Sequence, residues 1–278
     1  ADAYSVGRQV WFIIKAYEAM EARPHRIRLI MPSSSFALIM HKLSEGKTKI
    51  VYEGENPEER ILFFKDDITA FDGVKRDMIP GKGEINASMM EILFNELEKG
   101  GISTHFIKRL DSNRILVKGL DMIKLEVVCR NIAAGHFVKR FPTFKTGDRL
   151  PMPIVEFYWK NEELHDPLLT EDHVLVLKLA SREAENSMKS ITLRANEILG
   201  EFLARRGFTL VDFKLEFGHD GGGNLLVGDE LNCDSMRIWD SNTGRCYDKD
   251  IYRTGSNLED VMRTYREALA KIANEDHG

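Results

Sequence analysis

Asp212, Lys214 and Glu216 alternate with Val211, Phe213, Leu215 and Phe217 in the stretch 210–218, so a β-strand there carries an acid, a base and an acid along one face. Side chains two apart on a strand stand roughly 6.6 Å apart, a spacing that suits a cleft holding a metal ion and a charged substrate. A merely solvated strand face has the same pattern, so the neighbouring segments carry weight. After the turn 219–224, residues 225–231 read as a returning hairpin strand with two more carboxylates, Asp229 and Glu230. One hairpin register brings Asp229 beside Glu216, and a slip by one residue turns it away. Two carboxylates and a lysine in a polar cleft suit magnesium, a hard cation that takes oxygen ligands together with substrate phosphates. Metal-bound nucleotide is the first expectation.

Gly46-Lys47-Thr48-Lys49 leads into a β-branched run, so Lys47 and Lys49 share a strand face behind a glycine that lets backbone approach a ligand. Two ammonium groups there make a cradle for polyphosphate. The Walker spacing is absent. Lys65 to Gly73, Gly81-Lys82-Gly83 and Cys129-Arg130-Asn131 through His136 are further polar clusters that follow apolar runs, placing each where a strand meets a loop. Taken singly, each is also compatible with ordinary turn chemistry.

In this order the segments resemble the phosphoribosylaminoimidazole-succinocarboxamide synthase (SAICAR synthetase) family. The likeness runs from about Lys42 to the last helix. It includes Gly46 to Lys49, Asp72-Gly73, Gly81 to Gly83, Arg130-Asn131 with Ala133-Ala134-Gly135, Lys160-Asn161 with His165-Asp166-Pro167, Asp212 to Gly218, Gly228-Asp229-Glu230 and Arg237 to Asp240. The resemblance implies an ATP-dependent ligase of purine biosynthesis that joins L-aspartate to carboxyaminoimidazole ribotide, giving the succinocarboxamide, ADP and phosphate through an activated acyl phosphate. It implies that Lys47 and Lys49 hold ATP phosphates, that the backbone from Val117 to Met122 edges the adenine, and that Glu216 and Asp229 hold Mg2+. Lys214 would neutralise the migrating phosphoryl group, with Asp212 orienting Lys214 or a substrate amine. Arg130 and Arg237 would take the ribotide phosphate, since a guanidinium fork matches phosphate oxygens. Asp72, Lys160 and Asp166 would lie on the substrate side without a fixed role. Two departures from the family pattern stand out. His136 occupies a position where serine is usual, beside the phosphate pocket. Asn232-Cys233-Asp234 replaces Ser-Pro-Asp, which removes a proline-fixed turn and would loosen Arg237. A small-molecule kinase and a non-catalytic nucleotide-binding module remain the alternatives.

The chain has 278 residues, 43% of them hydrophobic, enough for a sizeable core. A net charge of −5 argues against a nucleic-acid partner. Cys129, Cys233 and Cys246 have no zinc spacing and an odd count, so they read as reduced thiols of a cytoplasmic protein. No apolar run approaches the roughly 18 residues needed to span a bilayer, which argues against a membrane protein. A homo-oligomer is compatible with the sequence, which does not fix the oligomeric state.

The elements that must position these groups follow from periodicity. Ile85 to Lys99 and about Arg182 to Arg206 carry helical apolar stripes that stop at glycines, and Ser256 with Glu259 forms a capping-box pattern before a third stripe. Strands first, then mixed strands and long helices, indicate α+β. The resemblance implies a small N-terminal β-rich lobe, 40–122, over a larger α+β catalytic lobe, 123–278, with ATP in the cleft between them. Residues 1–39 carry none of the motifs and are expected to be a dispensable extension.

Overall fold

Strands β1 (Lys42–Glu45), β2 (Lys49–Glu53) and β3 (Glu59–Phe64) form an antiparallel meander, joined to a two-stranded ribbon, β4 (Asp67–Ala70) and β5 (Lys75–Met78). Helix α1 (Lys82–Lys99) follows, and β6 (Phe106–Arg109) and β7 (Arg114–Lys118) complete a first sheet of order β1-β2-β3-β7-β6. This computed structural model describes residues 41–70 and 73–274; the N-terminal extension considered above and Asp72 lie outside them.

A second sheet is built from β8 (Asp121–Ile132), β9 (Arg149–Trp159), β10 (Leu168–Leu169), β11 (Phe208–His219) and β12 (Leu225–Gly228), in the order β10-β9-β8-β11-β12. β13 (Met236–Asp240) pairs with the first half of β11, on the edge opposite β8. Helices α2 (Arg182–Arg205) and α3 (Leu258–Ala273) pack with α1, and α2 also lies on β11. The architecture is the expected α+β, and one apolar cluster runs from Leu62 to Ile272 through both sheets. Among the described residues no helix is long and apolar enough to cross a membrane.

The helical stripes bury as expected: Ile85, Met89, Leu93 and Leu97 on α1, and Met188, Ala195, Leu199 and Phe202 on α2, where Ser181 caps the first turn. α1 starts one turn earlier than its apolar stripe. Its first turn is held by Asp66, whose carboxylate accepts from Gly81 N at 3.1 Å and Gly83 N at 2.9 Å. Gly83 must be glycine, because a Cβ there would lie 2.3 Å from the Phe64 carbonyl oxygen. The cap of α3 differs from expectation: Asn257 accepts from Asp260 N at 2.8 Å, one residue beyond the Ser256–Glu259 pair. Asparagine is at least as good an N-cap as serine, and the side chain that faces the free N–H groups is the one that serves.

On β11, Val211, Phe213, Leu215 and Phe217 are buried as the alternation predicts, but Asp212 and Glu216 are also only 3% and 2% exposed. This is no solvated strand face, so the charges on it need partners.

Candidate active-site cleft

Strand register arranges the charges of β11 in two rows. Arg130 on β8 and Arg237 on β13 both stand opposite Asp212. Arg130 donates to Asp212 at 2.7 Å, to Glu156 at 2.6 Å and to the Tyr158 hydroxyl at 3.2 Å. Arg237 donates to Asp212 at 2.8 Å and to Asp250 at 2.7 Å. Asp212 therefore does not orient Lys214, contrary to expectation, because guanidinium groups from both neighbouring strands reach its carboxylate first.

Four residue pairs further along, Glu216 faces Glu126 directly across β8 and β11. Like charges so placed repel each other, and cations must separate them. Lys214 Nζ lies 2.8 Å from a carboxylate oxygen of each, and Lys160 also binds Glu216. Burial alone would lower the Lys214 pKa, but Glu216 and Glu126 hold it well above the usual lysine value.

The hairpin register is now visible: Gly228 pairs with Glu216, and Asp229 follows at φ 58°, a left-handed backbone that Asp tolerates better than most residues. Its carboxylate accepts from Lys49 at 2.6 Å, and Lys49 also lies 3.4 Å from Glu230. Burial opposes ionisation of Asp229, yet Lys49, Lys214 and Lys160 keep its pKa well below the carboxylate range. His105 supports the same turn, its Nε2 lying 3.1 Å from the Asp229 carbonyl oxygen. Burial pushes the His105 pKa down to about 4. Its ring is therefore neutral at pH 7, with Nε2–H as the donor.

These groups line one cleft of about 580 Å³. Of the residues expected at the site, Lys47, Lys49, Val117, Met122, Lys160, Asp166, Lys214, Glu216 and Asp229 line it. Val51, Leu62, Val117, Leu120 and Met122 make one wall apolar, suited to a flat ring, while the lysines and carboxylates make the other wall polar.

Arg130, Asp212, Arg237 and His136 gather in a separate cluster. Gly135 is pressed against Arg237, since a Cβ at that position would come within 2.5 Å of Nη2. His136 opens the short helix His136–Arg140, and burial together with Lys139, Arg237, Arg130 and Arg253 lowers its pKa. The turn before Arg237, which lacks the proline, is held by hydrogen bonds. Asn232 Oδ1 accepts from Asp234 N at 2.8 Å, Asn232 N donates to Ser235 Oγ at 3.0 Å, and Asp212 and Asp250 clamp the arginine itself. Glu126 and Lys249 also line the cleft, neither of them singled out from sequence, together with Glu230 and Asp234, which the sequence marked only as members of motifs.

Residues 42–272 match the family model described as SAICAR synthetase. A phosphoribosylaminoimidazole-succinocarboxamide synthase of Nautilia profundicola is 46% identical over 234 residues, 84% of this chain and 98% of that protein. The crystal structure of the same enzyme from Ehrlichia chaffeensis superposes with a TM-score of 0.80 at 42% identity, covering 84% of this chain and 98% of that one. A SAICAR synthetase in complex with ADP gives 0.79 at 44% identity, covering 84% and 97%. With the match spanning both sheets and every wall of the cleft, this chain belongs to the SAICAR synthetase family.

Proposed function

We propose that the protein is an ATP-dependent ligase that joins L-aspartate to carboxyaminoimidazole ribotide, releasing ADP and phosphate. The observation that carries this reading is the juxtaposition, in one cleft, of an apolar wall with lysines that bridge buried carboxylates, beside a separate arginine cluster. The related ADP complex supports nucleotide in that cleft.

The nucleotide ring lies against Val117 to Met122, and Lys47 and Lys49 take the phosphates. Glu216 and Asp229 supply hard oxygen donors, and among the described residues no third His, Cys, Asp or Glu completes a metal cage around them. That donor set fits Mg2+, which keeps its remaining positions for water and phosphate. When bound, the ion offsets phosphate charge.

A carboxylate becomes an acylating agent only when one oxygen turns into a leaving group. The terminal phosphoryl group of ATP passes to the ribotide carboxylate, releasing ADP. The aspartate amine then attacks the acyl carbon, the C–O bond to phosphate breaks, and the nitrogen gives up a proton. Lys214 and Lys160 offset the charge on the migrating group, and Arg237 with Arg130 behind it takes the ribotide phosphate beside His136. Asp166 and Asp72 complete the substrate side. Residues 40–122 act as the nucleotide lobe, 123–278 as the catalytic lobe, and 1–39 are dispensable for the chemistry.

The test is an ADP-release assay with each substrate omitted in turn. Steady ADP formation should require both the ribotide carboxylate and L-aspartate, and an equal rate without L-aspartate would refute the ligase reading in favour of a kinase.

A further inference from the structure

Lys249 is a largely buried lysine in the cleft wall, its side chain 11% exposed, and its carboxylate neighbour Asp234 lies 3.8 Å away, beyond hydrogen-bond reach. That carboxylate is already committed. Lys82, fully buried in the first turn of α1, pairs with Asp234 Oδ2, to which Asn86 Nδ2 also donates at 2.9 Å. The Tyr265 hydroxyl donates to Oδ1 at 3.1 Å. Lys82 needs this partner, because a cation in a helix's first turn opposes the macrodipole and a buried one must be paired. Asp234 thus neutralises Lys82, and the Lys249 ammonium is left facing the cleft without a hydrogen-bond acceptor among the described residues. Burial lowers its pKa, and against the pull of Asp234 the ammonium of Lys82 and the guanidinium of Arg253 lower it further. An incoming anion would relieve that strain.

The place of Lys249 in the fold narrows which anion. On one side it shares the cleft wall with Glu230, which contacts Lys49. On the other, the next residue, Asp250, clamps Arg237 and Arg253. It therefore stands between the phosphate-binding lysines and the arginine cluster, where an amine must enter to meet an activated carboxylate. The assignments above give cations to the nucleotide phosphates and the ribotide phosphate, and none to the carboxylates of the amine substrate.

We propose that Lys249 binds a carboxylate of the L-aspartate substrate, with Lys82, Asp234, Asn86 and Tyr265 as the buried frame that keeps the ammonium facing the cleft. This rests on the ligase reading, and the test separates the two. Steady-state ADP release is measured for the wild type, Lys249→Met and Lys249→Arg, varying each substrate in turn. Lys249→Met should raise the KM for L-aspartate roughly 10- to 100-fold, as loss of a charge-assisted hydrogen bond implies. The KM values for ATP and the ribotide should stay within about twofold, since only a contact to the third substrate is lost. Lys249→Arg, which keeps the charge, should recover most of that loss. ADP binding by the variants reports that they fold, and Lys249→Gln carries the same readout if the methionine variant does not bind ADP. Wild-type turnover indifferent to L-aspartate would overturn both readings. Aspartate-dependent turnover in which Lys249→Met leaves the KM for L-aspartate unchanged, or raises that for ATP or the ribotide instead, overturns this one alone.

Discussion

The lysine cleft and the arginine cluster solve the problem of buried charge in opposite ways, although both hang on β11 and lie only four residue pairs apart. Around Asp212, planar guanidinium forks from two adjacent strands make several directed bonds each, and Glu156, Tyr158 and Asp250 take the remaining donors. Around Glu216 and Asp229, compact ammonium groups on flexible stems bridge carboxylates, and Lys160 is 47% exposed. Fork geometry is costly to rearrange, whereas point charges exchange partners readily. The difference suggests a division of labour: the lysines can give up Glu216 and Asp229 to a metal ion and turn to phosphate, while the arginine cluster is a preorganised frame that offers few new bonds.

The cleft should show the larger effects. Glu216→Gln and Asp229→Asn each remove the charge of one proposed metal ligand, and each should lower kcat roughly 10²- to 10³-fold, the cost typical of removing one group that stabilises charge in the transition state. Asparagine is chosen at 229 because the left-handed backbone there penalises alanine. Near-normal turnover of Asp229→Asn at ordinary magnesium concentrations would show that the carboxylate is not a ligand, and the contrast between the regions would lose its functional meaning.

His105 links the same cleft to stability. The unfolded chain takes up a proton near pH 6.5, but the folded chain resists until about 4, so stability falls as the pH drops through that window and is unaffected above it. The full gap corresponds to about 3 kcal/mol. Urea unfolding of wild type and His105→Gln at pH 4.5 and 7.5 checks this. The variant keeps an N–H donor for the Asp229 carbonyl and should lose less stability on acidification, and equal losses would exclude His105 as the source.

Much of this arrangement was legible in the sequence where the signal is local. The alternation in 210–218 and the glycine-terminated stripes each report a geometry spanning a few residues, and the structure contains both; of the two lysines expected on one strand face, only Lys49 is on β2, and Lys47 lies in the bend before it. What was not legible depends on pairing between distant segments. Nothing near Glu126 announces that it will stand opposite Glu216, because the register of β8 against β11 is set across about 90 residues. The arginine partners of Asp212 were hidden for the same reason. Asp234 and Lys249 lie in turns with no period to read. A signal did exist at Lys82, since a lysine just ahead of a helical apolar stripe opposes the macrodipole and calls for a carboxylate, and only the fold says which one.

The arginine cluster should respond less and more selectively. Arg237→Lys keeps one charge but cannot bond Asp212 and Asp250 together, so the ribotide should bind roughly 10- to 100-fold more weakly while ADP affinity holds. Equal weakening of both ligands would mean that the cluster serves the whole fold and not one pocket.

The smallest effect concerns His136, which reports on the cluster without holding it together. In the free protein, burial and the cations Lys139, Arg237, Arg130 and Arg253 depress its pKa below the ordinary imidazole value. A ribotide phosphate docked beside Arg237 places negative charge against those cations and removes part of the repulsion that keeps the ring neutral. The imidazole should then titrate at higher pH in the complex than in the free protein. Proton uptake on binding would be largest between the two values and would vanish above both. Following the ring carbon proton of His136 by NMR across pH 5 to 8, with and without ribotide, measures the difference directly. His136→Ser removes the resonance and, with it, the proton uptake in calorimetry. A His136 titration that does not move when ribotide saturates the protein would place the phosphate elsewhere and leave the arginine cluster as a purely structural frame.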